Sequence, residues 1–480
     1  MISKKGFLYD YKRVLKLYSK VNGELIWNKD SSIYDKYRDI VEESFFYGLN
    51  PEKYRISLTE DVILNEILLT DRLLQLAYDS FFGRVNPKDV YETWNYPKKK
   101  DFIVEDLIQF SRDLDKNNFY SKFSPSYPQF HALSEKFRGY YNLIRNFNQR
   151  AIKIRKPLRI GDRHPDIPYI RELLYLLGDL ESIDSLEKAE FDTELEAGIK
   201  NFQRRHGLKT DGILGKETVL ELNYPLVERL IDIAINMEKF RWLPESLNPN
   251  RIEINIPSFS LEFYKEDKLQ FRMRTIVGKK EGDDFRATFI YSGRVKEVEF
   301  YPFWYVPDKI KVKDLLPKIR KNASYLEKNN FIVIYGGKHI SPYSLNWYTV
   351  DPQNLKLIQL PGEKNSLGKV KIVFENPFDI YLHDTPYKEL FEKENRASSS
   401  GCIRLENAQL LTEALLEEEG YDQSRVDSLF SSKENRKIKL KSNFTVYTFY
   451  NTVLIKDRII YFYKDIYGYD KILKSKLLKG

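Results

Sequence analysis

The chain of 480 residues contains a single cysteine, Cys402, and only five histidines. One cysteine excludes an internal disulfide and any cysteine-rich metal centre. His131, His164, His206, His339 and His383 are scattered without an H-E-x-x-H or comparable spacing, so no zinc site and no cofactor is implied. Apolar runs long enough to span a bilayer are missing, and Met1 is not followed by a secretory signal pattern. Charge of one sign is scarce too. The 78 basic and 70 acidic residues are mixed along the chain, and their net of +8 is no nucleic-acid signature. It suits a protein working beside an anionic polymer. What is plentiful is apolar and aromatic: 42% hydrophobic residues, with 34 tyrosines and 30 phenylalanines, exclude a disordered chain. At this length two to four domains are expected.

The chemistry concentrates in Ile380-Tyr381-Leu382-His383-Asp384-Thr385-Pro386 and Ser398-Ser399-Ser400-Gly401-Cys402-Ile403-Arg404-Leu405. Ile380 and Leu382 alternate with Tyr381 and His383, so a strand here buries the first pair and presents the second together. Pro386 then prevents the strand from continuing. A thiol with an ordinary pKa near 8.5 is only a few per cent thiolate at neutral pH, and an adjacent imidazole raises that fraction by taking the proton. The small run ending in Gly401 lets backbone amides approach a ligand closely. Together these pieces would make a cysteine acyl-transfer site.

The same residues resemble the motif of the L,D-transpeptidases with a YkuD-type catalytic domain, H-x-x…[ST]-x-G-C-x-[RN]. They are closest to the large Gram-negative class that carries a capping subdomain. Many members place a second histidine before the Gly-Cys pair. Here Ser400 stands there, which leaves His383 as the only nearby base.

The resemblance extends along the chain and implies a multidomain α+β protein. Residues 1–150 read as mostly helical and resemble the family's scaffold domain. One helix ends at Gly48-Leu49-Asn50-Pro51, and another opens at Leu68 and ends at Phe82-Gly83. Residues 156–224 resemble a three-helix peptidoglycan-binding domain. Ile170, Leu173, Leu174 and Leu177 form one helical stripe; Leu195, Ile199 and Phe202 form the next, stopped by Gly207. A helical connector is expected at 225–250. From Arg251 the period drops from 3.6 to 2, through Ile252, Ile254 and Ile256, then Phe259, Leu261 and Phe263, marking a mainly β catalytic domain over 251–480. The alternation lapses over about 304–360, the place of a capping insertion that includes Trp304. Phe444–Asn451 and Val453–Lys464 read as a closing hairpin.

The implied reaction is acyl transfer through a thioester on Cys402. His383 would move the proton, and the amides of Gly401 and Cys402 would hold the oxyanion. Ser399, Ser400, Tyr381 and Trp304 would line the substrate groove. Arg404 would either hold a stem carboxylate or brace the loop; Asp384 would either orient His383 or only end the strand. The implied partners are peptidoglycan tetrapeptide stems and other cell-wall synthesis proteins, not nucleic acid. The expected location is the periplasm, with a leader or membrane anchor absent from this sequence, and the expected inhibitors are carbapenems. A carboxypeptidase using the same thioester, and a non-catalytic wall-binding scaffold, are the competing readings.

Overall fold

The computed structural model describes residues 8–27, 32–111, 113–182, 186–281 and 284–479. The chain divides into two compact units.

One unit comprises residues 93–95 and 247–450, and the change to period 2 at Arg251 shows in it directly. Strands β1 (Arg251–Asn255), β2 (Ser260–Lys265) and β3 (Lys268–Glu281) form an antiparallel meander. Further strands are β4 (Asp284–Arg286), β5 (Ser292–Phe300), β6 (Trp304–Tyr305), β7 (Phe331–Tyr335), β8 (Lys338–Ile340) and β9 (Leu355–Gln359). Then come β10 (Val370–Phe374), β11 (Tyr381–His383), β12 (Ala397–Ser399), β13 (Ile403–Leu405), β14 (Arg436–Lys439) and β15 (Thr445–Phe449). The main sheet runs β10-β11-β13-β3-β2-β1-β15-β5-β14, and β5 also pairs with β10, so the sheet returns on itself. Ile252, Ile254, Leu261, Val298, Ile372, Leu382 and Ile403 all point to one inner face, each essentially unexposed. Burial of such a side chain contributes about 1.5–3 kcal/mol. The helix Ala408–Glu417 covers this face with Leu411, Leu415 and Leu416.

The segment expected to lose its alternation is more ordered than that. Strands β6, β9, β7 and β8 build a separate four-stranded sheet in that order. Short helical pieces at 308–328 pack on it around Trp304, Leu316, Ile319, Leu326, Trp347 and Leu355. The strands are short and separated by up to 25 residues, which hid the period. The closing hairpin also differs from expectation. β15 pairs in parallel with β1 inside the main sheet, so Phe444–Asn451 contributes a sheet strand rather than a hairpin arm. The hairpin is formed instead by strands Val453–Lys456 and Ile459–Phe462 pairing with each other, and residues 451–480 group with the other unit.

That other unit comprises residues 1–92, 96–246 and 451–480. Its first part is helical. The second long helix starts at Val62 rather than Leu68, because Asp61 caps it through the Leu64 N–H at 3.0 Å, and it runs to Phe82. Helices Ile167–Leu177, Thr193–Arg205 and Lys216–Leu222 enclose Ile170, Leu173, Leu174, Leu195, Ile199 and Phe202. Arg205 and Asp179 form a buried two-point ion pair, with Nε to Oδ1 at 2.6 Å. Leu226–Arg241 is the expected helix after Pro225. Among the described residues, no helix is long and apolar enough to cross a membrane.

Candidate active site

Strand register assembles the site. β11 and β13 run parallel, with Leu382 opposite Ile403 and His383 opposite Arg404. Leu382 and Ile403 face the core, so their neighbours Tyr381, His383, Cys402 and Arg404 share the opposite face. Four of the residues singled out from sequence therefore meet because two short strands lie side by side.

His383 is 4% exposed. Its Nδ1 lies 2.5 Å from the Asp384 main-chain oxygen. A carbonyl only accepts, so this nitrogen carries the proton and Nε2 presents a lone pair. Burial first, and the neighbouring Arg404 charge second, push the imidazole pKa down to about 3. It is held neutral, with Nε2 unprotonated. Asp384 thus orients His383 through its main chain. Its carboxylate instead accepts from the Lys369 N–H at 2.9 Å and pairs with Lys388 at 2.7 Å.

Cys402 is a half-buried free thiol. Burial pushes its pKa up, while the Tyr381 main chain and side chain and the charges of Arg404 and Lys371 pull it down. The thiol also lies 3.9 Å from the Asp379 carbonyl. Burial, and then the neighbouring Cys402 thiol, hold the Tyr381 phenol well above its usual pKa. Trp304 belongs to the core of the capping segment, and Tyr381 packs against that core. The described hydrogen bond of the sulfur thus goes to Asp379, with Tyr381 and His383 along the same face as the thiol.

The loop before the nucleophile is fixed from within. Gly401 has φ +115°, a conformation that side-chain-bearing residues rarely adopt. Its N–H donates to Ser399 Oγ at 3.1 Å, and that hydroxyl donates to the Cys402 carbonyl at 2.5 Å. Ser399 is 3% exposed, so its hydroxyl serves the loop and not a substrate groove. Ser400 is exposed and accepts from Arg286 at 2.9 Å. Arg286 in turn pairs with Asp314 of the capping segment, with Nη2 to Oδ1 at 3.1 Å. Thr288 donates to the Gly401 carbonyl at 2.8 Å and accepts the Gly278 N–H at 2.9 Å. A Cβ at Gly278 would lie 2.0 Å from the Arg286 oxygen, so only glycine admits this close approach. Arg404 Nε is buried without a hydrogen-bond partner among the described residues.

Sequence reasoning did not find Arg286, Thr288, Lys371 or Asp379. Lys371 carried a signal, a charged residue at the polar position of Val370-Lys371-Ile372; Arg286 and Thr288 carried none, since they meet the loop from 113 or 114 positions away.

Cys402 and a neutral histidine thus share one face of two adjacent strands, with Tyr381 packed against the core of the separate four-stranded sheet. The comparisons with known proteins fall in the same place. Residues 249–417 match the L,D-transpeptidase catalytic domain (YkuD). Residues 12–137 match the scaffold domain, and 163–222 the family described as "Putative peptidoglycan binding domain". A curated Haemophilus influenzae protein, named "Putative L,D-transpeptidase", is 32% identical over 240 residues. That match covers 50% of this chain and 48% of the relative. Among solved structures, the "Ldtfm-avibactam carbamoyl enzyme" is 12% identical with a TM-score of 0.20, covering 43% of this chain and 51% of that one. The Xylanimonas cellulosilytica L,D-transpeptidase (residues 123–326) is 12% identical with a TM-score of 0.18, covering 62% of this chain and all of that one. The chain carries a YkuD L,D-transpeptidase catalytic domain together with a scaffold domain and a peptidoglycan-binding domain.

Proposed function

We propose that this protein is a peptidoglycan L,D-transpeptidase that works through a thioester on Cys402. The observation that carries the reading is the shared face of β11 and β13, where Cys402, Tyr381, His383 and Arg404 stand together and Tyr381 packs against the cluster that holds Trp304. The thiol proton passes to His383 Nε2 as sulfur attacks the carbonyl of the third stem residue, a diamino acid. The tetrahedral oxyanion collapses, the amide C–N bond breaks, and His383 returns the proton to the departing D-alanine amine. The side-chain amine of a second stem then attacks the thioester, its proton returns through His383 to sulfur, and a 3→3 cross-link results.

The supporting chemistry is local. The Gly401 N–H is engaged by Ser399, which leaves the Cys402 N–H as the oxyanion donor of the expected pair. Buried Arg404, with an unpartnered Nε, suits a carboxylate of the stem. Tyr381 and Trp304 line the donor groove and hold the thiol side of it. The three-helix module brings peptidoglycan as partner, and the cell envelope, periplasmic in a Gram-negative cell, as place of action. Acylation of Cys402 by a carbapenem belongs to the same reading.

Incubation with purified disaccharide-tetrapeptide tests it by chromatography and mass spectrometry of the soluble products. The expected result is a 3→3 dimer with one D-alanine released per cross-link. Tripeptide alone would instead make the protein an L,D-carboxypeptidase. No release of D-alanine would leave a wall-binding scaffold.

A further inference from the structure

A row of charged side chains crosses the reactive face. Register pairs Lys437 with Glu299, Glu299 with Lys371, Lys371 with His383, and His383 with Arg404, across β14, β5, β10, β11 and β13. Residues paired in register project from the same side of a sheet. Glu299 is 4% exposed, and its Oε2 lies 2.7 Å from Lys371 Nζ. Asn435 donates to its other oxygen at 3.2 Å. Lys371 Nζ also lies 5.1 Å from the centre of the Tyr381 ring. A lysine held this way has its ammonium fixed between a buried carboxylate and the two residues that flank the nucleophile.

From this geometry we propose that Lys371, anchored by Glu299, is a positioning residue that fixes a positive charge beside His383 and Tyr381 and so favours the Cys402 thiolate over the thiol. The inference rests on the reading of Cys402 as the nucleophile. A cation beside the pair does two things at once. It disfavours a second positive charge on His383, keeping Nε2 free, and it favours negative charge on the sulfur. Lys371 contributes in those directions at both groups, as the smallest of the named causes: behind burial, Tyr381 and Arg404 at the thiol, and behind burial, Arg404 and the opposing pull of Asp384 at His383. The groups facing the sulfur are Lys371 from β10, Tyr381 and His383 from β11, Arg404 from β13, and the Asp379 carbonyl. The carboxylates nearby are Asp379, which acts on Tyr381, Asp384, which acts on His383, and Glu299, which pairs with Lys371; at the thiol itself the charges that act are the two cations, Arg404 and Lys371. Glu299 holds Lys371 in place from the far side and is one strand further from the thiol.

The test is the pH profile of Cys402 alkylation by iodoacetamide. Cys402 is the only thiol, so the rate reports on nothing else. For Lys371→Met the thiolate midpoint should rise by roughly one unit, about a tenfold slower reaction at neutral pH. Lys371→Arg should restore it. Lys371→Gln, which keeps a donor for Glu299, covers the case in which the methionine variant does not fold, and should shift the midpoint as Lys371→Met does. An unchanged midpoint in a folded Lys371→Met or Lys371→Gln protein would overturn the proposal, as would a rate lowered equally at every pH. The titration needs no stem peptide. Failure of the transpeptidase reading would show separately, as absent D-alanine release by the unsubstituted protein.

Discussion

Ser399→Ala isolates the part of the site that shapes the nucleophile loop. The hydroxyl joins the buried Gly401 N–H to the Cys402 carbonyl, at 3.1 and 2.5 Å. Alanine removes both bonds and orphans a buried donor, which costs about 1–3 kcal/mol, with a further contribution of about 1 kcal/mol from the lost bond to the carbonyl. A total of about 2–4 kcal/mol is expected. With a denaturant slope of about 2–3 kcal/mol per molar, the urea midpoint of the catalytic unit should fall by roughly 1 M. Ser400→Ala is the control. Its hydroxyl is exposed and its one described partner, Arg286, retains Asp314, so a loss of about 0.5 kcal/mol or less is expected. Chemistry separates the two roles of the loop further. Acylation by a carbapenem needs the oxyanion donor and should slow by at least tenfold in Ser399→Ala, whereas iodoacetamide needs only the thiolate and should react within about threefold of normal. Equal urea midpoints for the two alanine variants would refute the argument, and so would a parallel loss of both reactions.

Other outcomes follow from the same geometry. His383 has its pKa depressed to about 3, so the neutral form stabilises the fold above pH 6.5 and that stability is lost as pH falls toward 3. Between pH 6.5 and 5 the loss attributable to it is about 2 kcal/mol, and His383→Gln should flatten that part of the urea-midpoint profile. Tyr381→Phe removes the phenol beside the thiol; the iodoacetamide titration should show the Cys402 midpoint moving up, and an unchanged midpoint would remove Tyr381 from the site's electrostatics. Asp179→Ala leaves Arg205 buried without its carboxylate and should cost about 3–5 kcal/mol in the three-helix module, read by thermal unfolding.

The reactive face was legible because strand period and register carry it. Tyr381 and His383 alternate with Ile380 and Leu382, and Arg404 follows Cys402 by two, so the pairing that sets Leu382 opposite Ile403 puts all four on one side. The helical modules were legible for a similar reason: Ile170, Leu173 and Leu174 form a stripe whose burial the fold requires. Other features depend on contacts that no local pattern encodes. The parallel pairing of β15 with β1 joins residues almost 200 positions apart, and adjacency in sequence suggested a hairpin with the strand that follows. Ser399 was expected in the groove because it is small and near the nucleophile; a hydrogen bond two residues long turned its hydroxyl inward. Asp384 meets the His383 ring with its backbone oxygen, an atom every residue possesses, while its carboxylate turns to Lys369 and Lys388.

Intact-protein mass spectrometry after mixing with purified disaccharide-tetrapeptide, beside a Cys402→Ala control, is the most direct test of the central claim. The account predicts a mass gain equal to the stem minus D-alanine, present in the unsubstituted protein and absent from the control. A folded protein that shows neither adduct nor D-alanine release, or an adduct that persists in Cys402→Ala, would contradict it.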